Sequence, residues 1–150
     1  MRNQSKGIDF RFPEHLHFEK TNHTWSLAES NSRIVIGMDP LGLASLGELA
    51  YLSIDEVETM VREGQSMGVL EAAKMTGEII APVSGKIVER NQEVLEDPFQ
   101  VNKDPYGKGW LALIETQSWE EDSKKLVTGA KVAEWSASEM ERYRQQGWID

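Results

Sequence analysis

The sequence predicts a mainly β domain of the α+β class, and three observations carry that prediction. Short apolar segments such as Trp25-Ser26-Leu27-Ala28 and Arg33-Ile34-Val35-Ile36 recur along the chain, separated by turn-forming clusters such as Glu29-Ser30-Asn31-Ser32. Several segments alternate apolar and polar residues, the period of a strand with one buried face. The last part of the chain changes to helical spacing, so helices follow the strands.

Taken in order, residues 1–13 read as a loose arm ending at Pro13, with Ile8, Phe10 and Phe12 available for docking. Residues 14–150 read as a single domain, long enough to bury about 68–70% of its unfolded surface without disulfides. Short strands are expected from Leu16 to Ile36. Asp39 before Pro40 has the form of an N-cap with proline in the first helical turn, opening a short helix through Leu46 that Gly47 ends. Glu48 to Ile54 alternates like a half-buried strand, and Val57, Thr59 and Val61 continue the period of two. Three strands follow: one into a hairpin, one out of it, and Lys86 to Arg90. Asn91 to Gln100 reads as a polar loop with a helical turn, and Trp110 to Ile114 as a buried strand. Helices are expected near 119–126, with three acids in the first turn, and from Ser136 to Gln146, stopped at Gly147. Trp135, Tyr143 and Trp148 are expected to pack that last helix on the sheet. No internal repeat is present, which excludes a solenoid.

The formal charge of −9 opposes non-specific nucleic-acid binding, which needs a positive field. No apolar run approaches a membrane span. The stretch from Met1 to Gly7 is basic and polar without a following hydrophobic region, so no secretory signal is expected and the cytoplasm is the expected location. With no cysteine, any redox chemistry must come from a cofactor. His15, His17 and His23 lack a nearby cysteine or an ordered acidic partner; they read as surface residues, and no metal site is expected. Asp55-Glu56 and Glu120-Glu121-Asp122 read as solvated faces, since nothing pairs them across a pocket. No catalytic residue is expected.

Two motifs carry the functional reading. In Val69-Leu70-Glu71-Ala72-Ala73-Lys74-Met75-Thr76-Gly77-Glu78-Ile79-Ile80-Ala81-Pro82-Val83-Ser84-Gly85, two β-prone stretches flank a short lysine-bearing tip. A lysine there stands away from the body of the protein, where a modifying enzyme can reach it. Downstream, Val101-Asn102-Lys103-Asp104-Pro105-Tyr106-Gly107-Lys108-Gly109-Trp110 contains a segment suited to a type I turn, with Pro second and Gly fourth.

These residues resemble the H protein of the glycine cleavage system, a lipoyl carrier. Glu71-Ala72-Ala73-Lys74-Met75 is similar to that family's Glu-Ser-Val-Lys-Ala, and Ala81-Pro82-Val83-Ser84-Gly85 to its Ala-Pro-x-Ser-Gly. Gly64 and Gly85 stand at the family's offsets from the lysine, and the Asp104-Pro105-Tyr106-Gly107 stretch resembles a signature that ordinary lipoyl and biotinyl domains lack. Leu46 to Leu52 and Glu14-His15 also resemble family segments. The resemblance implies a flattened β-barrel or sandwich of the lipoyl/biotinyl type, with lipoate amide-linked to Lys74 as a swinging arm. It implies that Glu71, Ala73 and Met75 are read by a lipoate-protein ligase or lipoyl transferase, and that Glu14 and His15 lie near the place where the loaded arm rests. It further implies a monomeric carrier without an active site of its own, reoxidised by dihydrolipoamide dehydrogenase.

The chain also departs from the family. Met75 replaces the usual small residue and matches the Glu-Ala-Met-Lys-Met of biotin carriers, which keeps a biotin carrier as an alternative beside an unmodified interaction module. Glu14-His15-Leu16-His17 lacks the aromatic and second acid of Glu-His-Glu-Trp, and the stretch from Trp135 to Trp148 is longer and more aromatic than the family's. These departures favour an H-like lipoate-binding protein serving a heterodisulfide-reductase-like complex in sulfur oxidation. The alternative is an authentic glycine cleavage H protein, carrying an aminomethyl group among the glycine cleavage enzymes.

Overall fold

The structure, a computed structural model, describes residues 10–150. The strands are β1 (His17–Phe18), β2 (Thr24–Ala28), β3 (Arg33–Met38), β4 (Leu49–Ile54), β5 (Met60–Val61), β6 (Ser66–Ala72), β7 (Thr76–Ile80), β8 (Gly85–Arg90) and β9 (Ala112–Glu115). The helices are α1 (Pro40–Leu46), α2 (Gln92–Glu96), α3 (Phe99–Lys103), α4 (Trp119–Ser123) and α5 (Lys131–Gln145). A six-stranded sheet runs in the order β1-β2-β3-β9-β8-β5, and a three-stranded sheet in the order β4-β6-β7. All the strand pairs are antiparallel. The fold is the mainly β sandwich with added helices that the sequence predicts.

Alternation builds the core. Ile34 and Ile36 of β3, Ile87 of β8 and Ile114 of β9 face inward from the large sheet. They share one cluster with Leu52 and Ile54 of β4, Met67 and Leu70 of β6, and Ile79 of β7. Each such side chain, taken fully out of water, contributes about 1.5–3 kcal/mol. Gly85 is required where β8 approaches β9, because a Cβ there would lie 2.3 Å from the Glu115 carbonyl oxygen. A second cluster around Leu16, Phe18, Trp25 and Val132 seats α5 on the other side of the large sheet. Among the described residues no helix is long and apolar enough to cross a membrane.

The structure corrects several boundaries. Phe12 packs edge-on against Phe18 and Trp135, and the Arg11 carbonyl accepts from the Tyr106 hydroxyl, so the described end of the N-terminal arm is docked rather than loose. Ile8 lies outside the described residues. The expected loop after Asn91 holds two short helices, because the Asn91 side chain caps α2 by accepting from Glu93 N–H. The final helix begins at Lys131 rather than Ser136, whose hydroxyl donates to the Ala133 carbonyl from inside the helix. Trp110 is half-buried and β9 starts only at Ala112.

Candidate functional site

β6 and β7 form the hairpin with Ala73, Lys74 and Met75 at its tip. Ala72 N–H donates to the Met75 carbonyl at 2.9 Å and closes the turn. Lys74 is exposed, as are Glu71, Ala73 and Met75. The tip does not stand free, however. Ala73 N–H donates to Glu48 O at 3.0 Å and Lys74 N–H to Leu46 O at 3.0 Å, so the backbone of the tip leans on the loop between α1 and β4. The lysine amine extends along the same surface and donates to the Ala44 carbonyl at 3.2 Å. Carbonyls in the last turn of a helix lack intrahelical partners, which leaves them open to such contacts.

Gly47 makes this approach possible. It ends α1 with φ +92, in the left-handed region, and a Cβ there would sit 3.2 Å from the Ala73 Cβ and 3.4 Å from the Lys74 Cγ. The loop is clamped from its far side by Asn102 of α3. Asn102 Oδ1 accepts from Leu49 N–H at 2.9 Å, and its Nδ2 donates to the Gly47 carbonyl at 3.2 Å.

Beside the lysine, the outer face of the small sheet carries a shallow groove of about 400 Å³ lined by Val69, Leu70, Glu71, Thr76, Gly77 and Glu78. A larger open depression of about 1360 Å³ lies around Arg62, Glu63, Gln65, Ser84 and Gly85, at the base of the hairpin. The length of β6, seven residues at about 3.3 Å each, separates it from Lys74. It is not the lysine's site.

The downstream motif proves structural. Gly107 N–H donates to the Asp104 carbonyl at 3.2 Å and closes the expected turn, which carries the Tyr106 ring against Trp25 and Phe18. Trp25 Nε1 donates to the carbonyls of Met38 and Pro105, each at 3.1 Å.

Of the histidines read as surface residues, His15 is exposed. His17 is half-buried against Trp119, and desolvation holds its pKa below the ordinary value. His23 is fully buried. Its Nδ1 lies 2.7 Å from Asp39 Oδ2 and its Nε2 lies 2.8 Å from Glu139 Oε1, while the ring stacks on Trp135. Burial pushes the imidazole pKa down, but the hydrogen bonds and charges of Asp39 and Glu139 outweigh it and hold it above the ordinary value. Burial holds the Asp39 carboxyl up against the opposing pull of His23 and the backbone N–H groups of Gly42 and Leu41. Burial also pushes Glu139 up, yet Arg142 and His23 together bring it below its ordinary value. This cluster ties α5 to the residue just before β2 and to the N-cap of α1. Sequence reasoning missed it; the one available signal was Asp39, whose Oδ1 caps α1 by accepting from Gly42 N–H at 2.9 Å. Among the described residues no group of three or more His, Asp or Glu is placed to hold a metal ion.

Glu14 does not join the lysine. Its carbonyl accepts from Gly129 N–H at 2.9 Å and from the Thr128 hydroxyl at 3.2 Å, in the segment leading to α5.

The structure is a small antiparallel sandwich that projects the exposed Lys74 from a hairpin braced on the loop after α1. Comparison with known proteins makes the class specific. The family model for the glycine cleavage H-protein matches residues 16–139. A probable glycine cleavage system H protein of Pyrococcus abyssi is 32% identical over 130 residues, covering 87% of this chain and 96% of that relative. The glycine cleavage system H protein of Carboxydothermus hydrogenoformans is 40% identical over 103 residues, covering 69% of this chain and 78% of that relative. The crystal structure of a glycine cleavage system H protein from Mycobacterium marinum superposes with a TM-score of 0.73 at 28% identity, covering 85% of this chain and 98% of that one. The chain belongs to the glycine cleavage H-protein family. The matched segment starts at Leu16, just past Glu14 and His15.

Proposed function

We propose that the protein is an H-type lipoyl carrier of glycine cleavage, with lipoate amide-linked to Lys74. The observation that carries the proposal is the exposed Lys74 amine on a hairpin tip whose backbone is fixed by Leu46 and Glu48. The site fits the group: among the described residues the amine has one carbonyl contact and no ion pair, and the tip leaves it open to solvent. Bound lipoate would supply a dithiolane that is reduced and reoxidised at the sites of partner enzymes. The chain supplies presentation. Acylation removes the lysine charge and leaves exposed Glu48, Glu71 and Glu78 around the tip, an acidic rim suited to steering onto basic partner surfaces.

The relatives' names support glycine cleavage over the sulfur-oxidation role that the departures favour, since those set out above are all called glycine cleavage H proteins. The partners we propose are a lipoate ligase or transferase, dihydrolipoamide dehydrogenase and the glycine cleavage enzymes. Glu71 and Met75, both exposed beside the lysine, are the side chains proposed for ligase reading, with Ala73 keeping the tip small. Glu14 and His15 are proposed on the sequence resemblance to flank a resting place for the arm; alanine at both is expected to raise arm mobility, and unchanged relaxation of the arm by NMR removes them from that role. The functional test is reconstitution. Lipoylated protein is expected to support glycine decarboxylation with the partner enzymes, and failure to do so while accepting sulfur from a heterodisulfide-reductase-like complex would reverse the assignment.

A further inference from the structure

The two motifs meet at one side chain. Asn102 belongs to the downstream motif, yet neither of its hydrogen bonds stays within that motif. It accepts from Leu49 N–H at 2.9 Å and donates to Gly47 O at 3.2 Å, so it grips both sides of Glu48. Glu48 and Leu46 in turn supply the carbonyls that receive the amides of Ala73 and Lys74. Four hydrogen bonds therefore link α3, through the loop after α1, to the backbone of the lysine-bearing tip. Asn102 is the only side chain bonded to this loop's backbone at Gly47 and Leu49 among the described residues, and it is half-buried.

We propose that Asn102 is a positioning residue for Lys74, holding the Leu46–Leu49 loop as a fixed seat so that the tip meets its modifying enzyme already ordered. This rests on the lipoyl-carrier reading for its enzymatic consequence, but the ordering itself is a property of the unmodified chain. Where only an ordered tip is recognised, the apparent affinity falls by the fraction of molecules that are ordered. Loosening the seat then weakens binding and leaves the chemical step alone.

The test compares the parent protein with Asn102→Ala and with Asn102→Asp, which keeps the acceptor for Leu49 N–H and loses the donor to Gly47. Two readouts are taken: amide hydrogen exchange on unmodified protein, and the rate of lipoyl transfer by a purified lipoate ligase as a function of acceptor concentration. Asn102→Ala is expected to speed exchange at Ala73 and Lys74 about tenfold, the weight of ordinary hydrogen bonds, with the core strands unchanged. KM for the acceptor is expected to rise several-fold at constant kcat, with Asn102→Asp between the two. Unchanged exchange at the tip overturns the proposal, as does an equal rise across all amides, which makes Asn102 a general stabiliser. A fall in kcat at constant KM also overturns it. A parent that accepts no lipoate defeats the carrier reading instead, and exchange at the tip still decides the role of Asn102.

Discussion

The two ends of α1 are built on opposite principles. At its start Asp39 is fully buried, caps the helix, and pairs with His23, which reaches on to Glu139 of α5. At its end Ala44 and Leu46 offer carbonyl oxygens to Lys74, and the contacts there lie at the surface. The buried end spends charged side chains on fixing the helix, where desolvation makes each of them costly to leave unpaired. The exposed end uses backbone carbonyls and one glycine, and holds the Lys74 amine against the Ala44 carbonyl at the surface. One seven-residue helix thus separates a buried, charge-paired end from an exposed, backbone-bonded one.

The largest effect is expected at the buried end. Asp39→Ala removes the cap and strands His23 without its closest partner, and is expected to cost about 3–5 kcal/mol, read by denaturant unfolding. Gly47→Ala tests the exposed end. Its φ of +92 and the 3.2 Å approach to Ala73 are expected to cost more than about 1 kcal/mol and to displace the tip, seen as shifted amide resonances at Ala73 and Lys74. Lys74→Arg is expected to stay within about 0.5 kcal/mol of the parent, because the side chain is exposed. A large loss there would erase the contrast.

The buried end of α1 also responds to pH. His23 binds its proton more tightly folded than unfolded, so its contribution is fully present below its ordinary value of 6.5 and is lost as pH rises through the folded value. Asp39, also raised, contributes with the same sign from its ordinary 3.8 upward. Glu139 is lowered, so its share is present above 4.5 and lost as pH falls through its folded value. The docking of α5 is therefore expected to weaken from near-neutral to alkaline pH, measured by unfolding free energy, and His23→Gln is expected to flatten that slope. An unchanged slope in the variant would place the titration elsewhere.

Much of this was legible in the sequence because it is local. A turn-forming cluster between apolar segments marked β2 and β3, alternation marked β4, Asp39-Pro40 marked the start of α1, and Gly147, with φ +77, marked the end of α5. Lys74 at its hairpin tip and the Asp104-Pro105-Tyr106-Gly107 turn were equally plain. What stayed hidden depends on distance along the chain. His23 finds its acids 16 and 116 residues away, and nothing near it announces them. The seat beneath Lys74 consists of backbone carbonyls, which leave no residue signature except the glycine that permits the approach. The start of α5 carries no side-chain cap, so Ser136 drew the boundary too late.

We propose that Lys74 carries lipoate. Intact mass of the protein produced together with a lipoate ligase and lipoate tests it directly. A single lipoyl increment on the parent chain, absent from Lys74→Arg, is the predicted result; an unmodified parent, a biotinyl increment, or a lipoyl increment that survives the substitution would contradict it.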